Sequence, residues 1–317
     1  MIVQILLIVV GFACLVFGAN WLVDGASSLA KKYNVSDLAI GLTIVAFGTS
    51  APELVVNIVG SVNGYSDIVV GNIIGSNNFN LFIILGISAL IVPITVQSST
   101  AWKEIPISLF VAVLMLFLIN DFSFSEPSSL SRLDGIMMLI LFLLFLYYVF
   151  NQMKNDPNIQ SDFIPKSTPK IWGLIIIGLS GLIIGGQLVV TNAVNVANSL
   201  GVSEKIIGLT IVAAGTSLPE LVTSVVAATK KNSDIAIGNV IGSNVFNILL
   251  ILSISSIINP IEFNPKFNTD LYILIGGTVF LLIAMLTGKR KKLDRWEAAI
   301  LLAFYVSYTV FLVMREV

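Results

Sequence analysis

Residues 41–55 read GLTIVAFGTSAPELV, and residues 208–222 read GLTIVAAGTSLPELV. The offset of 167 residues holds without a gap over a longer stretch. Ser66-Asp67-Ile68 returns as Ser233-Asp234-Ile235, and GNIIGSNNFN (71–80) returns as GNVIGSNVFN (238–247). Of the 46 aligned positions from Gly41 to Gly86, 27 are identical. Each copy places a glutamate, Glu53 or Glu220, inside an otherwise apolar segment. A carboxylate in a membrane-length apolar run is costly and marks a functional site by default. Two of them at matching places point to a single site built from both halves.

The composition fits a membrane protein. Hydrophobic residues make up 56% and charged residues 11%, against about 25% charged in a soluble domain. Mean hydropathy is +0.96. The net charge of −1 leaves no basic surface for nucleic acid. Histidine is absent and Cys14 is the only cysteine, which excludes a disulfide within the chain and argues against a His/Cys zinc or copper site. The apolar N-terminus lacks the basic region of a secretory signal and reads as the first membrane helix.

Apolar runs near the bilayer-spanning length of about 20 residues predict ten spans. They lie near 2–23, 37–62, 67–92, 103–120, 132–150, 170–192, 204–229, 234–258, 269–287 and 295–313. The fold class is an all-α integral membrane protein. Residues 1–150 form a first five-helix repeat, 151–169 a polar linker, and 170–317 a second five-helix repeat. With ten spans, 13 Lys and Arg residues fall on one side and 4 on the other. Lys and Arg mark the cytoplasmic side, so the linker is cytoplasmic and both termini are extracytoplasmic. The basic run at 288–292 is a topology anchor. An offset of five helices is odd, so the second copy enters the membrane upside down. Inverted repeats belong to secondary transporters, whose sites sit at the repeat interface near mid-membrane, often on broken helices.

The motif itself supplies the break. Pro52 has no N–H and clashes with the carbonyl of Gly48, and freed carbonyls at membrane depth persist only where they line a cavity or are buried in protein. Thr49 and Glu53 are four apart, on one helix face. Ala46, Ser50 and Glu53 share a groove by their spacing. Gly215, Thr216, Ser217, Pro219 and Glu220 repeat the arrangement. On the next helix Asn72, Ser76 and Asn80 form a polar stripe, repeated by Asn239, Ser243 and Asn247. Gly71 and Gly75, with Gly238 and Gly242, form small-xxx-small patterns for close helix approach. Asn72 and Asn239 read as interhelical hydrogen-bonding residues.

The pooled donors are carboxylate, hydroxyl, amide and backbone carbonyl oxygens, a set suited to hard cations. Ca²⁺ takes 6–8 oxygens in flexible geometry, whereas Mg²⁺ demands a tight octahedron; Na⁺ would accept cages like those of Ca²⁺. Two carboxylates neutralise one Ca²⁺ or two Na⁺. Competition for one pair of carboxylates is a sufficient basis for exchange. An empty site of charge −2 is too costly to reorient, so ion-free vesicles should show no uncoupled leak.

The paired GTSxPEL and GNxxGSNxFN motifs resemble the sodium/calcium exchanger family of the cation/calcium antiporter superfamily, its prokaryotic members above all. The resemblance covers essentially the whole transmembrane chain. It implies ten helices in two inverted five-helix repeats and a central site with one Ca²⁺ and up to three Na⁺ positions. It further implies Ca²⁺ ligation by Glu53 and Glu220 with backbone oxygens of Thr49 and Thr216. The flanking Na⁺ positions would draw on Ala46, Ser50, Ser76 and Asn80, and on Ala213, Ser217, Ser243 and Asn247. Exchangers resembling this chain carry an aspartate at one of the positions matching Asn80 and Asn247. Here both are Asn, which keeps an acceptor oxygen but removes a titratable charge.

The leading expectation is a Na⁺/Ca²⁺ antiporter of the cytoplasmic membrane that extrudes Ca²⁺ by alternating access. A H⁺/Ca²⁺ exchanger using the same glutamates is the alternative, against which the hydroxyl-rich flanks argue mildly. Inversion and broken helices favour a transporter over a passive channel. An intramembrane hydrolase would need a base for its nucleophile, and the chain has no His. The expected partners are the lipid bilayer and the transported Ca²⁺ and Na⁺, with no cofactor and no obligate protein partner.

Overall fold

The computed structural model describes residues 2–97, 100–120, 128–155, 167–200, 213–287 and 291–316. The longer helices are α1 (Ile2–Tyr33), α2 (Asp37–Thr49), α3 (Ala51–Val62), α4 (Ser66–Ile91), α5 (Ile105–Ile119), α6 (Arg132–Asn155), α7 (Thr168–Ser199), α8 (Leu218–Thr229), α9 (Ser233–Ile258), α10 (Asn268–Thr287) and α11 (Arg295–Glu316). Among the described residues eight helices are long and apolar enough to cross a bilayer, and nine spans result if the bent α2–α3 pair counts as one. The sequence predicts ten. In the remaining one, near 204–229, residues 204–212 lie outside the described residues; its described part is the turn Ala213–Gly215 and α8. α6 runs through Asn155 and α7 begins at Thr168, so both helices reach into the span predicted as linker. Residues 156–166 of it, with Lys289 and Arg290 of the basic run, lie outside the described residues.

Local chemistry sets the helix ends. α1 carries Lys31 and Lys32 in its last turn, where cations favour the helix dipole. It stops at Asn34, whose φ of 54° is left-handed, while Val35 N–H returns to the Ala30 carbonyl at 2.8 Å. Ser36 then caps α2 by accepting from Ala39 N–H. Between α2 and α3 the chain turns at Ser50 (φ −79°, ψ 8°), and the two helices bend by 49°. Pro52 sits in the first turn of α3, where its missing N–H costs nothing. Ser217 (φ −89°, ψ 8°) and Pro219 repeat this geometry before α8.

α4 and α9 form the centre of the molecule, α9 being almost wholly buried. Each contains a π-helical turn, Phe79–Ile84 and Asn247–Leu252. Further π turns occupy Gly41–Val45 in α2 and Thr100–Glu104 before α5. α3 and α8 line the core beside α4 and α9, and α5, α6, α10 and α11 surround it. α1 and α7 pair along their length through glycines. A methyl carbon on Gly18 would lie 2.8 Å from the Gly178 carbonyl oxygen, and one on Gly185 would lie 2.7 Å from that of Gly11. The outer faces of α1, α6 and α11 expose Leu6, Val9, Phe17, Ile140, Leu143, Phe304 and Phe311, as lipid-facing helices do.

Four two-residue strands tie the loops together: β1 (Ile94–Thr95), β2 (Ser129–Leu130), β3 (Ile261–Glu262) and β4 (Lys292–Leu293). β1 pairs antiparallel with β4 (Ile94 opposite Leu293), and β2 pairs antiparallel with β3 (Leu130 opposite Ile261). Both pairings join the first half of the chain to the second.

Candidate ion site

The break at Ser50 and its counterpart at Ser217 deliver two glutamates to the buried centre. Glu53 and Glu220 are each 1% exposed, on the first turns of α3 and α8. Each receives a hydroxyl from the opposite half. Ser50 Oγ donates to Glu220 Oε1 at 2.9 Å, and Ser217 Oγ donates to Glu53 Oε1 at 3.0 Å. Ser76 of α4 reaches Glu53 Oε1 at 3.4 Å, and its Oγ lies 3.2 Å from that of Ser217. Thr49 Oγ1 sits 3.0 Å from Asn239 Oδ1 and 3.1 Å from the Val45 carbonyl. Asn239 also donates to Ser224 Oγ at 2.9 Å and to the Glu220 carbonyl at 3.3 Å, the interhelical role its position implies.

The remaining predicted residues divide. Asn80 and Asn247 are buried side by side with the amides of Asn244 and Asn77: Asn80 Nδ2 donates to Asn244 Oδ1 at 3.0 Å, and Asn247 Nδ2 donates to Asn77 Oδ1 at 2.9 Å. Ser243 is buried, but its hydroxyl is not brought to Glu220 as that of Ser76 is to Glu53. Thr216 is half-buried beside Glu53, but its Oγ1 completes no well-formed hydrogen bond. Ala46 is fully buried, and its carbonyl accepts Ser50 N–H at 3.0 Å. Ala213 belongs to the turn Ala213–Gly215; its side chain lies outside the described residues. Asn72 is half-buried with Nδ2 unpartnered.

Sequence spacing missed Asn77 and Asn244, 0% and 2% exposed. Neither falls on the i, i+4 stripe of Asn72, Ser76 and Asn80. The available signal was their identity across the two copies of GSN.

Among the described residues neither glutamate joins a salt bridge. Their Oε2 atoms, with Asn80 Oδ1 and Asn247 Oδ1, are buried acceptors without a hydrogen-bond partner. No group of three or more His, Cys, Asp or Glu suited to a metal occurs among the described residues, so hydroxyl, amide and backbone oxygens would have to complete any cation's shell here. Four orphaned acceptor oxygens around two unpaired carboxylates leave a deficit of positive charge that buried ionised groups do not sustain alone. The chemistry of this buried cluster fits an oxygen-lined cation site inside a multi-pass membrane protein.

Known proteins agree with that class. The profile of the family described as sodium/calcium exchanger protein matches residues 3–151 and 170–314. The sodium/calcium exchanger MaX1 of Methanosarcina acetivorans is 33% identical over 98% of this chain and 98% of its own. The inner membrane protein YrbG of Escherichia coli is 34% identical over 92% of this chain and 90% of its own. Among solved structures, the sodium-calcium exchanger NCX_Mj soaked with 2.5 mM Na⁺ and 0.1 mM Ca²⁺ superimposes with a TM-score of 0.82 at 32% identity, covering 96% of this chain and 97% of that one. The same exchanger soaked without Na⁺ and Ca²⁺ gives 0.84 over 98% and 99%. The chain therefore belongs to the sodium/calcium exchanger family, a family of membrane cation antiporters.

Proposed function

We propose that this protein exchanges Na⁺ for Ca²⁺ by alternating access and extrudes Ca²⁺ across the cytoplasmic membrane. The observation that carries the reading is the crosswise pairing of Ser50 with Glu220 and of Ser217 with Glu53. It makes one site from two carboxylates, so Ca²⁺ and Na⁺ compete for the same charge. Ca²⁺ is held between Glu53 and Glu220 with the backbone oxygens of Thr49 and Thr216. Na⁺ takes flanking positions supplied by Ala46, Ser50, Ser76 and Asn80 and by Ala213, Ser217, Ser243 and Asn247. The names of MaX1 and NCX_Mj, which specify sodium and calcium, support this choice of ions.

The architecture behind the reading is ten spans in two inverted repeats, 1–150 and 170–317, joined by a cytoplasmic linker, with both termini extracytoplasmic. The offset of 167 residues and the reciprocity of the hydrogen bonds across it support an internal two-fold relation. Proton coupling is the rival, because the same glutamates could exchange Ca²⁺ for protons.

Ca²⁺ uptake into Na⁺-loaded proteoliposomes separates the two. The expected result is uptake driven by an outward Na⁺ gradient and absent in Glu53→Gln. Uptake driven by a pH gradient alone would assign the site to protons and remove the flanking Na⁺ positions.

A further inference from the structure

Four buried amides lie between α4 and α9, and their donors and acceptors can be accounted for one by one. Asn77 and Asn244 use both ends of their side chains. Each Nδ2 reaches the other residue's backbone carbonyl at 3.4 Å, and each Oδ1 accepts from a neighbouring amide. Asn80 and Asn247 use only the nitrogen end, donating to Asn244 Oδ1 at 3.0 Å and to Asn77 Oδ1 at 2.9 Å. What remains is one unpartnered, buried Oδ1 on each of Asn80 and Asn247. An amide can present either its oxygen or its NH₂ to a given direction, and a hydrogen-bond network decides which.

We infer that Asn77 and Asn244 are positioning residues: Asn77 turns the amide of Asn247, and Asn244 that of Asn80, so that each presents its carbonyl oxygen to the transported cation. The inference rests on the exchange proposed above. Without these clamps an amide could turn its NH₂ inward, which repels a cation. A carboxylate at either place has no hydrogen to donate, so with Asn77 and Asn244 held in their present orientation it would set an oxygen against their Oδ1 at about the distance of the present hydrogen bond, 2.9–3.0 Å.

A double-mutant cycle in proteoliposomes tests this, reading the half-saturating Na⁺ for Na⁺-driven Ca²⁺ flux. Asn247→Ala and Asn77→Ala are each expected to raise it about fivefold, the factor equivalent to one hydrogen bond of ordinary strength. If Asn77 acts through Asn247, the double variant matches Asn247→Ala alone, while Asn77→Ala combined with Asn80→Ala multiplies. The mirror cycle of Asn244 with Asn80 gives an independent reading. Multiplicative effects in the Asn77–Asn247 cycle, or no effect of Asn247→Ala, would overturn the assignment. Where the alanine variants do not fold, Asn77→Asp, which keeps the acceptor, should shift Na⁺ dependence less than Asn247→Asp, which opposes two acceptors; the reverse order would also overturn it. Wild-type protein that moves no Ca²⁺ under a Na⁺ gradient would count against the proposed exchange, whereas exchange with an additive cycle would count against the clamps alone.

Discussion

Glu53 and Glu220 each lose most of their hydration on burial, and each recovers only part of it from a serine on the other half. In the proposed exchange a transported cation supplies the rest, so neutralising either carboxylate would remove half the charge available to Ca²⁺. Glu53→Gln and Glu220→Gln are each expected to abolish Ca²⁺ flux in proteoliposomes while the protein still purifies as a folded species. Near-normal flux in either variant would refute the site. The Na⁺ positions implied by the family resemblance lead one to expect that the serines affect Na⁺ and spare Ca²⁺, but the geometry changes that expectation. Ser50 and Ser217 hold the carboxylates themselves, through bonds to a charged group worth about 1.5–3 kcal/mol. Ser50→Ala and Ser217→Ala should therefore raise the half-saturating concentrations of both ions about tenfold or more, as measured by Ca²⁺ flux and by Na⁺ competition. A shift confined to Na⁺ would separate the hydroxyls from the Ca²⁺ position. At this scale the glutamates and serines were legible in the sequence because a repeated polar residue in an apolar run has few structural reasons to exist. Asn77 and Asn244 carry the same signal of repetition, but the role proposed for them depends on which way a neighbour's amide faces, and spacing carries no such information.

The helices follow from the sequence with two instructive exceptions. Pro52 and Pro219 announce a break, and the chain does turn there, although the pivot is Ser50 or Ser217 rather than the glycine before it. The π turns at Phe79–Ile84 and Asn247–Leu252 had no signature, because apolar periodicity over a whole span averages out one wide turn. Such turns are frequent at functional sites, and here they begin beside Asn80 and at Asn247, shifting the face on which later side chains emerge. The pairing of α1 with α7 was likewise hidden, since both read as uniformly apolar; what joins them is the absence of side chains at Gly11, Gly18, Gly178 and Gly185. Without a hydrophobic force between helices in lipid, close backbone approach is what holds them. Gly18→Val would set a carbon 2.8 Å from the Gly178 carbonyl oxygen and should destabilise the protein by about 1–3 kcal/mol. The measurement is the melting temperature in detergent, with Gly173→Ala on α7 as the control, because a methyl carbon there meets no described atom within 4 Å. Equal melting of the two variants would mean that the α1–α7 contact does not depend on glycine.

Across the whole molecule several contacts exchange under the offset of 167 residues, although those of Ser76 with Glu53 and of Thr49 with Asn239 do not. Gly11 meets Gly185 as Gly178 meets Gly18; Ser50 meets Glu220 as Ser217 meets Glu53; Asn80 meets Asn244 as Asn247 meets Asn77. The strand pairs follow the same logic, since β1 and β3 are 167 residues apart and each pairs with a strand of the other half. Under the alternating access proposed above, a contact that obeys the exchange can be rebuilt when the two halves swap conformations. A contact without a counterpart favours one conformation only. Lys230 Nζ lies 2.7 Å from Asp24 Oδ1 and 3.0 Å from the Asn20 carbonyl, tying α1 to the residue that follows α8. The equivalent positions hold Thr191 and Asn63, which cannot form an ion pair. If Lys230 lies on the cytoplasmic side, as the distribution of Lys and Arg predicts, the proposed exchange would have this pair favour the state closed on that side. Its side chains are 30% and 49% exposed; solvent screening therefore limits such a pair to less than about 1 kcal/mol, a factor of about five at most in the balance of states. Asp24→Asn should lower the half-saturating Ca²⁺ measured from the cytoplasmic face by about two- to fivefold relative to the opposite face. High salt should mimic the change, and combining Asp24→Lys with Lys230→Asp should restore the wild-type ratio. A ratio between the faces that is unmoved by Asp24→Asn would show that the ion pair decorates the surface without weighting either state.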